Sequence, residues 1–509
     1  MNNKINNLIL NSLTFIFLFS TTLASNKIES ISDTLIIAQK ADAKTLDPQK
    51  SIDTVSNKVI NLIFESLLTI DENLEITPQL AEKWEQVDDL NTIFYLKKGV
   101  KFHDGETMTS EDVVYSLNRA KNSHQVGYNF VPIISIEAMN EYTIKITTDK
   151  PFGAMNKYLT QVGGSIVSKK SAEKFGEKFF LNPIGTGPYK FKEWIPGEKI
   201  IVNAFENYHG EISKNKSLII RNIPEVSNRM IALETGEVDI SFDIGIMDRE
   251  AVQNHKDLNL MEVEAPSTLY LGFDDSNPLF KNTKLRQAIA YAIDNEVLAE
   301  VVFKGSAIAA GSPVPPILDV YNPNVKKYEQ NFQLAKQLLT EAGYPNGIKM
   351  ELWTATQSTW LDIATIIQAQ VKEIGIDLEI RTFEWGAYVS KTAGPNKALY
   401  LLSWNIGSVD GDPALYPLFH SSEKGLSGNR SFYENTEVDK ILLEARNTID
   451  QNKRKELYFK AQEIIQEDLP HYTLVYPHYN LAFRKDVKNL VLQKNGFTDL
   501  AKTYVIEDN

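Results

Sequence analysis

Phe94-Tyr95-Leu96-Lys97-Lys98-Gly99-Val100-Lys101-Phe102-His103-Asp104-Gly105, running on to Thr109-Ser110-Glu111-Asp112-Val113-Val114-Tyr115-Ser116, holds a strand, a turn and a helix start in one short stretch. Residues 93–97, rich in Ile, Phe and Tyr, read as a half-buried strand. Phe102-His103-Asp104-Gly105 reads as a strand end and turn, with Gly99 and Gly105 as punctuation. Thr109 or Ser110 then caps a helix whose first turn carries Glu111 and Asp112, where negative charge suits the helix dipole.

Outward from this stretch, strand-like and helical segments alternate, which predicts α/β or α+β architecture. Residues 34–38 read as a buried strand and 143–147 as a half-buried one. The clearest helix is expected over 284–302, with Leu285, Ala288, Ile289, Ala292, Ile293, Val297 and Val301 as a core-facing stripe. A second is expected over 332–342, closed by Gly343 with Pro345 beyond it, and a third over 453–469, stopped by Pro470. Gly185-Thr186-Gly187-Pro188 reads as a loop needing unusual backbone angles before the strand that starts at Tyr189. No repeat or low-complexity linker separates domains, so they must be woven together by chain crossings.

The chain has 509 residues and no cysteine, and its 53 Lys+Arg against 66 Asp+Glu give a net charge of −13. That length suits several domains or one large bilobed unit. The acidity argues against binding nucleic acid, which needs a basic surface. Lack of cysteine removes disulfides, thiolate metal sites and thiol catalysis together. Residues 1–24 read as a cleaved signal peptide: Lys4, an apolar run from Leu8 to Phe19, and small residues leading to Ala24. With no cysteine to carry a lipid anchor, the periplasm is the expected compartment.

Catalytic signatures are missing. Gly185-Thr186-Gly187 starts like a dinucleotide loop, but Pro188 intrudes and Lys190 stands at the third glycine position. There is no P-loop, no zinc-protease helix and no nucleophile elbow. Ser-x-x-Lys occurs at Ser171, Ser213 and Ser421 without the partner motifs that would give it meaning. His471 and His478 are the closest histidines, but Tyr472-Thr473-Leu474-Val475 and Pro477 favour a strand, where an odd offset places them on opposite faces. No metal or other cofactor is expected.

The opening stretch, preceded by Leu80-Ala81-Glu82-Lys83-Trp84, is joined by three others. They are Pro183-Ile184-Gly185-Thr186-Gly187-Pro188-Tyr189, Tyr270-Leu271-Gly272-Phe273, and Leu285-Arg286-Gln287-Ala288-Ile289 with Tyr291-Ala292-Ile293-Asp294. In this order, across nearly the whole chain, they resemble the bacterial extracellular solute-binding proteins of the peptide/nickel class, which serve ABC transporters. The resemblance implies an α/β, two-lobed periplasmic binding protein fold (type II-like) with an extra domain inserted in the first lobe. By analogy the first-lobe core takes 25–65, 182–268 and 480–509, the inserted domain 66–181 and the second lobe 269–479. Crossings near Thr268 and His478 would form the hinge on which the lobes close.

Peptide binders of this class hold the ligand's amine with a carboxylate and its terminal carboxylate with a cation. The resemblance places the first after a strand-end Trp, here Trp404, in the loop Ser408-Val409-Asp410-Gly411-Asp412-Pro413. Two acids flanking Gly411 also read, by themselves, as an ordinary Asp-Gly turn. The loop is about two residues longer than in dipeptide binders, and residues 354–363 lack the arginine those proteins carry. Both features look like the glutathione-binding branch. Arg430 is then the expected cation, with Arg381 a weaker choice, and Trp404, Tyr270 and Trp385 would supply apolar walls. The expected protein is a non-enzymatic, monomeric receptor handing a short peptide or glutathione-like ligand to an ABC permease in the inner membrane. Alternatives are a nickel chelate, haem or opine in the same fold, an adhesin or chaperone on the same scaffold, and an exported peptide hydrolase.

Overall fold

His471–Arg484 is a single strand of 14 residues with Pro477 inside it. Its first part pairs antiparallel with Ser267–Gly272, Leu269 facing Val475 and Gly272 facing His471. Its second part pairs with Leu258–Glu264, from Glu264 facing His478 to Leu258 facing Arg484. The partner therefore changes at Pro477, which has no N–H to give a ladder, while the facing chain passes through Ala265-Pro266 between the two partner strands. Hydrogen bonding through this strand joins two sheets into one network of 12 strands.

The computed structural model describes residues 30–507, and the expected leader at 1–24 lies outside them. On one side of the shared strand, Thr34–Gln39 pairs in parallel with Ser217–Asn222 and Ile240–Phe242. On the other, Ile348–Ala355 pairs in parallel with Ile376–Phe383 and Leu399–Asn405, and the helix Ser358–Lys372 makes the crossover to Ile376–Phe383. A separate antiparallel sheet of four strands, Ala81–Gln86, Asn91–Leu96, Thr143–Thr148 and Ile133–Asn140, is backed by the helix Ser110–Lys121. Thr109 is the N-cap of that helix, and its backbone N–H donates to Asp112 at 3.0 Å.

The apolar cores follow the same division. One cluster runs from Leu269 to Val475, one lies between Leu67 and Ile166, and one combines residues near both termini with the segment 162–242. Val162, Val167, Ala172 and Phe179, which fall in the stretch expected to be the inserted domain, pack in the terminal-segment core.

Two expectations of local structure need correcting. The helix expected over 284–302 ends at Ala292, and Asp294 starts a new turn by accepting from the N–H groups of Glu296 and Val297. The supposed core stripe accordingly fails past the break, where Val301 is 62% exposed. Gly185 and Gly187 do not have positive φ. They are glycine because the loop lies against the end of the helix Thr54–Ile63: a Cβ on Gly185 would sit 2.2 Å from the Ile63 carbonyl oxygen.

His103 clamps that loop. Its Nδ1 accepts from the Gly185 N–H at 3.4 Å, and its Nε2 lies 2.9 Å from the Gly187 carbonyl oxygen, to which it donates. Only the neutral ring with its proton on Nε2 can do both. Burial pushes the His103 pKa down to about 4 and that of His471 down to about 3. The unfolded chain protonates these rings first as pH falls through the ordinary 6.5, so folding loses stability between there and the folded-state values. Thermal unfolding midpoints should therefore fall from about pH 7 to about pH 5, with a shallower slope in His103→Gln. A flat profile in the unaltered protein would contradict this account of the clamp.

Candidate functional site

Between the lobes lies a cavity of about 1140 Å3. That is at or above the ~300–1,000 Å3 common for small-molecule sites. Ser66, Gln79, Asn129, Tyr158 and Gln161 line it from the first lobe; Trp404, Asn405, Tyr416 and Arg446 line it from the second. Its lining includes well-exposed apolar side chains, Ile52, Tyr128, Val131 and Leu426.

The lobes touch beside this cavity. The hairpin of Leu68–Ile70 and Ile76–Pro78 reaches across, burying Ile70 and Leu74 in a cluster with Val409, Ala414 and Leu442. Gly153 lies so close to the second lobe that a Cβ there would meet the Thr448 carbonyl oxygen at 2.0 Å. Its N–H donates to the Arg446 carbonyl oxygen at 3.1 Å.

The acidic loop lies behind the cavity wall. Val409 has a φ of 47°, and Asp410 is the N-cap of the helix Gly411–Phe419, accepting from the Asp412 N–H at 2.8 Å. Arg454 donates to both oxygens of Asp410, at 2.6 and 2.9 Å. Burial by itself would raise the Asp410 pKa, but the Arg454 charge and hydrogen bonds outweigh it and hold the carboxyl below its ordinary value. Asp412 accepts from Arg446 Nε and Nη2 at 3.0 and 3.1 Å and from the Tyr158 hydroxyl at 2.9 Å. Gly411 is glycine because a Cβ would enter the Tyr458 ring at 2.6 Å.

Of the residues expected to bind ligand, Trp404 lines the cavity, at the end of the strand Leu399–Asn405, with its Nε1–H donating to the Pro413 carbonyl oxygen at 2.8 Å. Asp410 and Asp412 offer no free carboxylate for an amine, since both are engaged by arginines. Arg430 points elsewhere: it donates to the Val389 carbonyl oxygen at 2.7 Å and to Thr392 Oγ1 at 2.9 Å, which satisfies the C-terminal turn of the helix Trp385–Thr392. Tyr270 is buried in the second-lobe core, its ring stacked on His471 at 4.2 Å. Trp385, 44% exposed, packs edge-on against Trp360 away from the cavity. Arg381 pairs with Glu351 at 2.7 Å. Arg446 and Tyr158, which also line the cavity, are not among the residues expected from sequence. The only signal for Arg446 was a basic residue ending a helix, which the helix dipole explains without any site.

The model of the middle region of family 5 of the bacterial extracellular solute-binding proteins matches residues 75–425. The chain belongs to that family. It is a solute-binding protein of the ABC transporter class, a binding protein and not an enzyme, with the two-lobed α/β fold. Among the described residues no helix is long and apolar enough to cross a membrane. The glutathione-binding protein GsiB of Escherichia coli O1:K1 is 29% identical, over 91% of this chain and 93% of that protein. The periplasmic binding protein DppA of Helicobacter pylori, solved with the peptide STSA, is 30% identical with a TM-score of 0.81, over 94% of this chain and 99% of that one. NikZ of Campylobacter jejuni, solved with Ni(L-His), is 27% identical with a TM-score of 0.81, over 93% and 99%.

Asp410→Asn leaves Arg454 with a buried, half-paired charge, and removing one partner of such a pair costs roughly 3–5 kcal/mol. The denaturant midpoint of this variant should fall well below that of the exposed control Asp89→Asn. Equal midpoints would show that the Asp410–Arg454 pair does not hold the loop.

Proposed function

We propose that this protein is the periplasmic receptor of an ABC importer, capturing a short peptide or glutathione-like compound between its lobes and delivering it to the inner-membrane permease. The observation that carries this reading is the cavity itself. It is roomy enough for a short peptide, walled by amides, hydroxyls and the Trp404 and Tyr416 rings, and sealed at one side by lobe-to-lobe contacts. Amide and hydroxyl groups suit a ligand rich in peptide bonds, and aromatic walls accept its side chains.

Closure about the shared strand would trap the ligand and present a single surface to the permease. Under this reading the first lobe comprises 25–65, 182–268 and 480–509 with 66–181 inserted, the second lobe is 269–479, and the chain acts as a monomer. Export by a leader at 1–24 and retention in the periplasm rest on the apolar run before Ala24 and on the absence of cysteine. The acidic loop contributes indirectly, by holding arginines in place behind the wall.

Native mass spectrometry of the receptor purified from periplasm, followed by denaturation and identification of what is released, tests both ligand and assembly. A stoichiometric peptide or glutathione on a single chain is the expected outcome. A stoichiometric metal chelate would overturn the peptide reading in favour of the nickel alternative, and a dimer mass would overturn the monomer.

A further inference from the structure

Arg446 has two edges. Its Nε/Nη2 edge is held by Asp412, while Nη1 has no hydrogen-bond partner among the described residues. The side chain is 24% exposed, and its guanidinium lies over the Tyr416 ring with Cζ 3.7 Å from the centroid. Only two cations line the cavity among the described residues, Lys150 and Arg446, and Lys150 sits on an exposed loop. A guanidinium with one edge pinned and one edge open on a cavity is pre-oriented to take a carboxylate through parallel N–H bonds.

The same arginine is gripped from across the lobe boundary. Tyr158 of the first lobe donates to Asp412 Oδ2 at 2.9 Å, and Gly153 of the first lobe donates to the Arg446 carbonyl oxygen at 3.1 Å. Burial first and the Asp412 charge second keep the Tyr158 hydroxyl protonated and available as a donor. The first lobe thus touches both the Arg446 backbone and the carboxylate that pins its side chain.

We propose that the open edge of Arg446 is the anion-binding group of the cavity, taking a carboxylate of the ligand, and that Asp412 and Tyr158 are positioning residues that make this contact a reward for closure. The assignment rests on the peptide-receptor reading above. Linkage makes it reciprocal: an anion bound at Arg446 favours the shut lobes as much as shut lobes favour the anion.

The probes are the tetrapeptide Ser-Thr-Ser-Ala as free acid and as C-terminal amide, together with reduced glutathione and a casein hydrolysate, measured by isothermal titration calorimetry. The unaltered protein should bind the acid at least about 10-fold more tightly than the amide, the scale of a charge-assisted hydrogen bond. Arg446→Gln should abolish that preference, Arg446→Lys should keep part of it, and Tyr158→Phe should narrow it. Equal binding of acid and amide by the unaltered protein overturns the assignment and leaves the receptor reading standing, whether or not Arg446→Gln folds. So does an undiminished preference in Arg446→Gln. Failure of the unaltered protein to bind the tetrapeptide, glutathione or any hydrolysate component overturns the peptide reading and this assignment with it.

Discussion

One strand belongs to both halves of this molecule. Because His471–Arg484 is hydrogen-bonded to Ser267–Gly272 on one side of Pro477 and to Leu258–Glu264 on the other, the lobes cannot part without breaking a sheet. Under the proposed closure they would rotate about the break in the ladder at Pro477. A proline that lacks an N–H and a facing Ala265-Pro266 segment outside both partner strands make that break. A bilobed receptor needs this combination of permanent attachment and local compliance, and here both come from backbone chemistry.

The second-lobe wall is held by charge pairs. Two ion pairs, Asp410 with Arg454 and Asp412 with Arg446, stand here, Asp410, Asp412 and Arg454 buried behind the cavity and Arg446 on its wall. Buried pairs of this kind add little net stability over an apolar core, but they penalise any arrangement that separates them. They specify one loop conformation, including the left-handed Val409, and one orientation of Arg446. Tyr158 brings the first lobe into the same network, so the geometry of the wall and the position of the lobes are a single problem.

Local elements and fold class were legible because they rest on short-range rules. The strand at 93–97, the helix start at Thr109 or Ser110, the helix ended by Gly343 and the strand after His471 all stand in the structure. The helix over 284–302 was overextended because Asp294 reads as an ordinary polar face position, whereas it caps a new turn. The glycines of Gly185-Thr186-Gly187 were noticed for the wrong reason; close approach to Ile63 requires them, and approach is invisible in sequence. The acid loop shows the same limit more sharply. Two acids around Gly411 look ready for a ligand's amine, because the arginines that occupy them lie on helices 34 and 44 residues further along the chain. Arg430, nearer to the loop in sequence than either arginine, is spent on a helix end.

The central claim is that the lobes shut on a small ligand, and the absence of cysteine makes it directly measurable. Val131 and Leu426, both lining the cavity and 69% and 74% exposed, can be replaced by cysteines that are the only labelling sites in the chain. Spin labels there, read by double electron–electron resonance, report the distance across the mouth. The account predicts a broad, long distribution in ligand-stripped protein that collapses to a short, narrow one when the released ligand is restored. An identical distribution with and without ligand would contradict it.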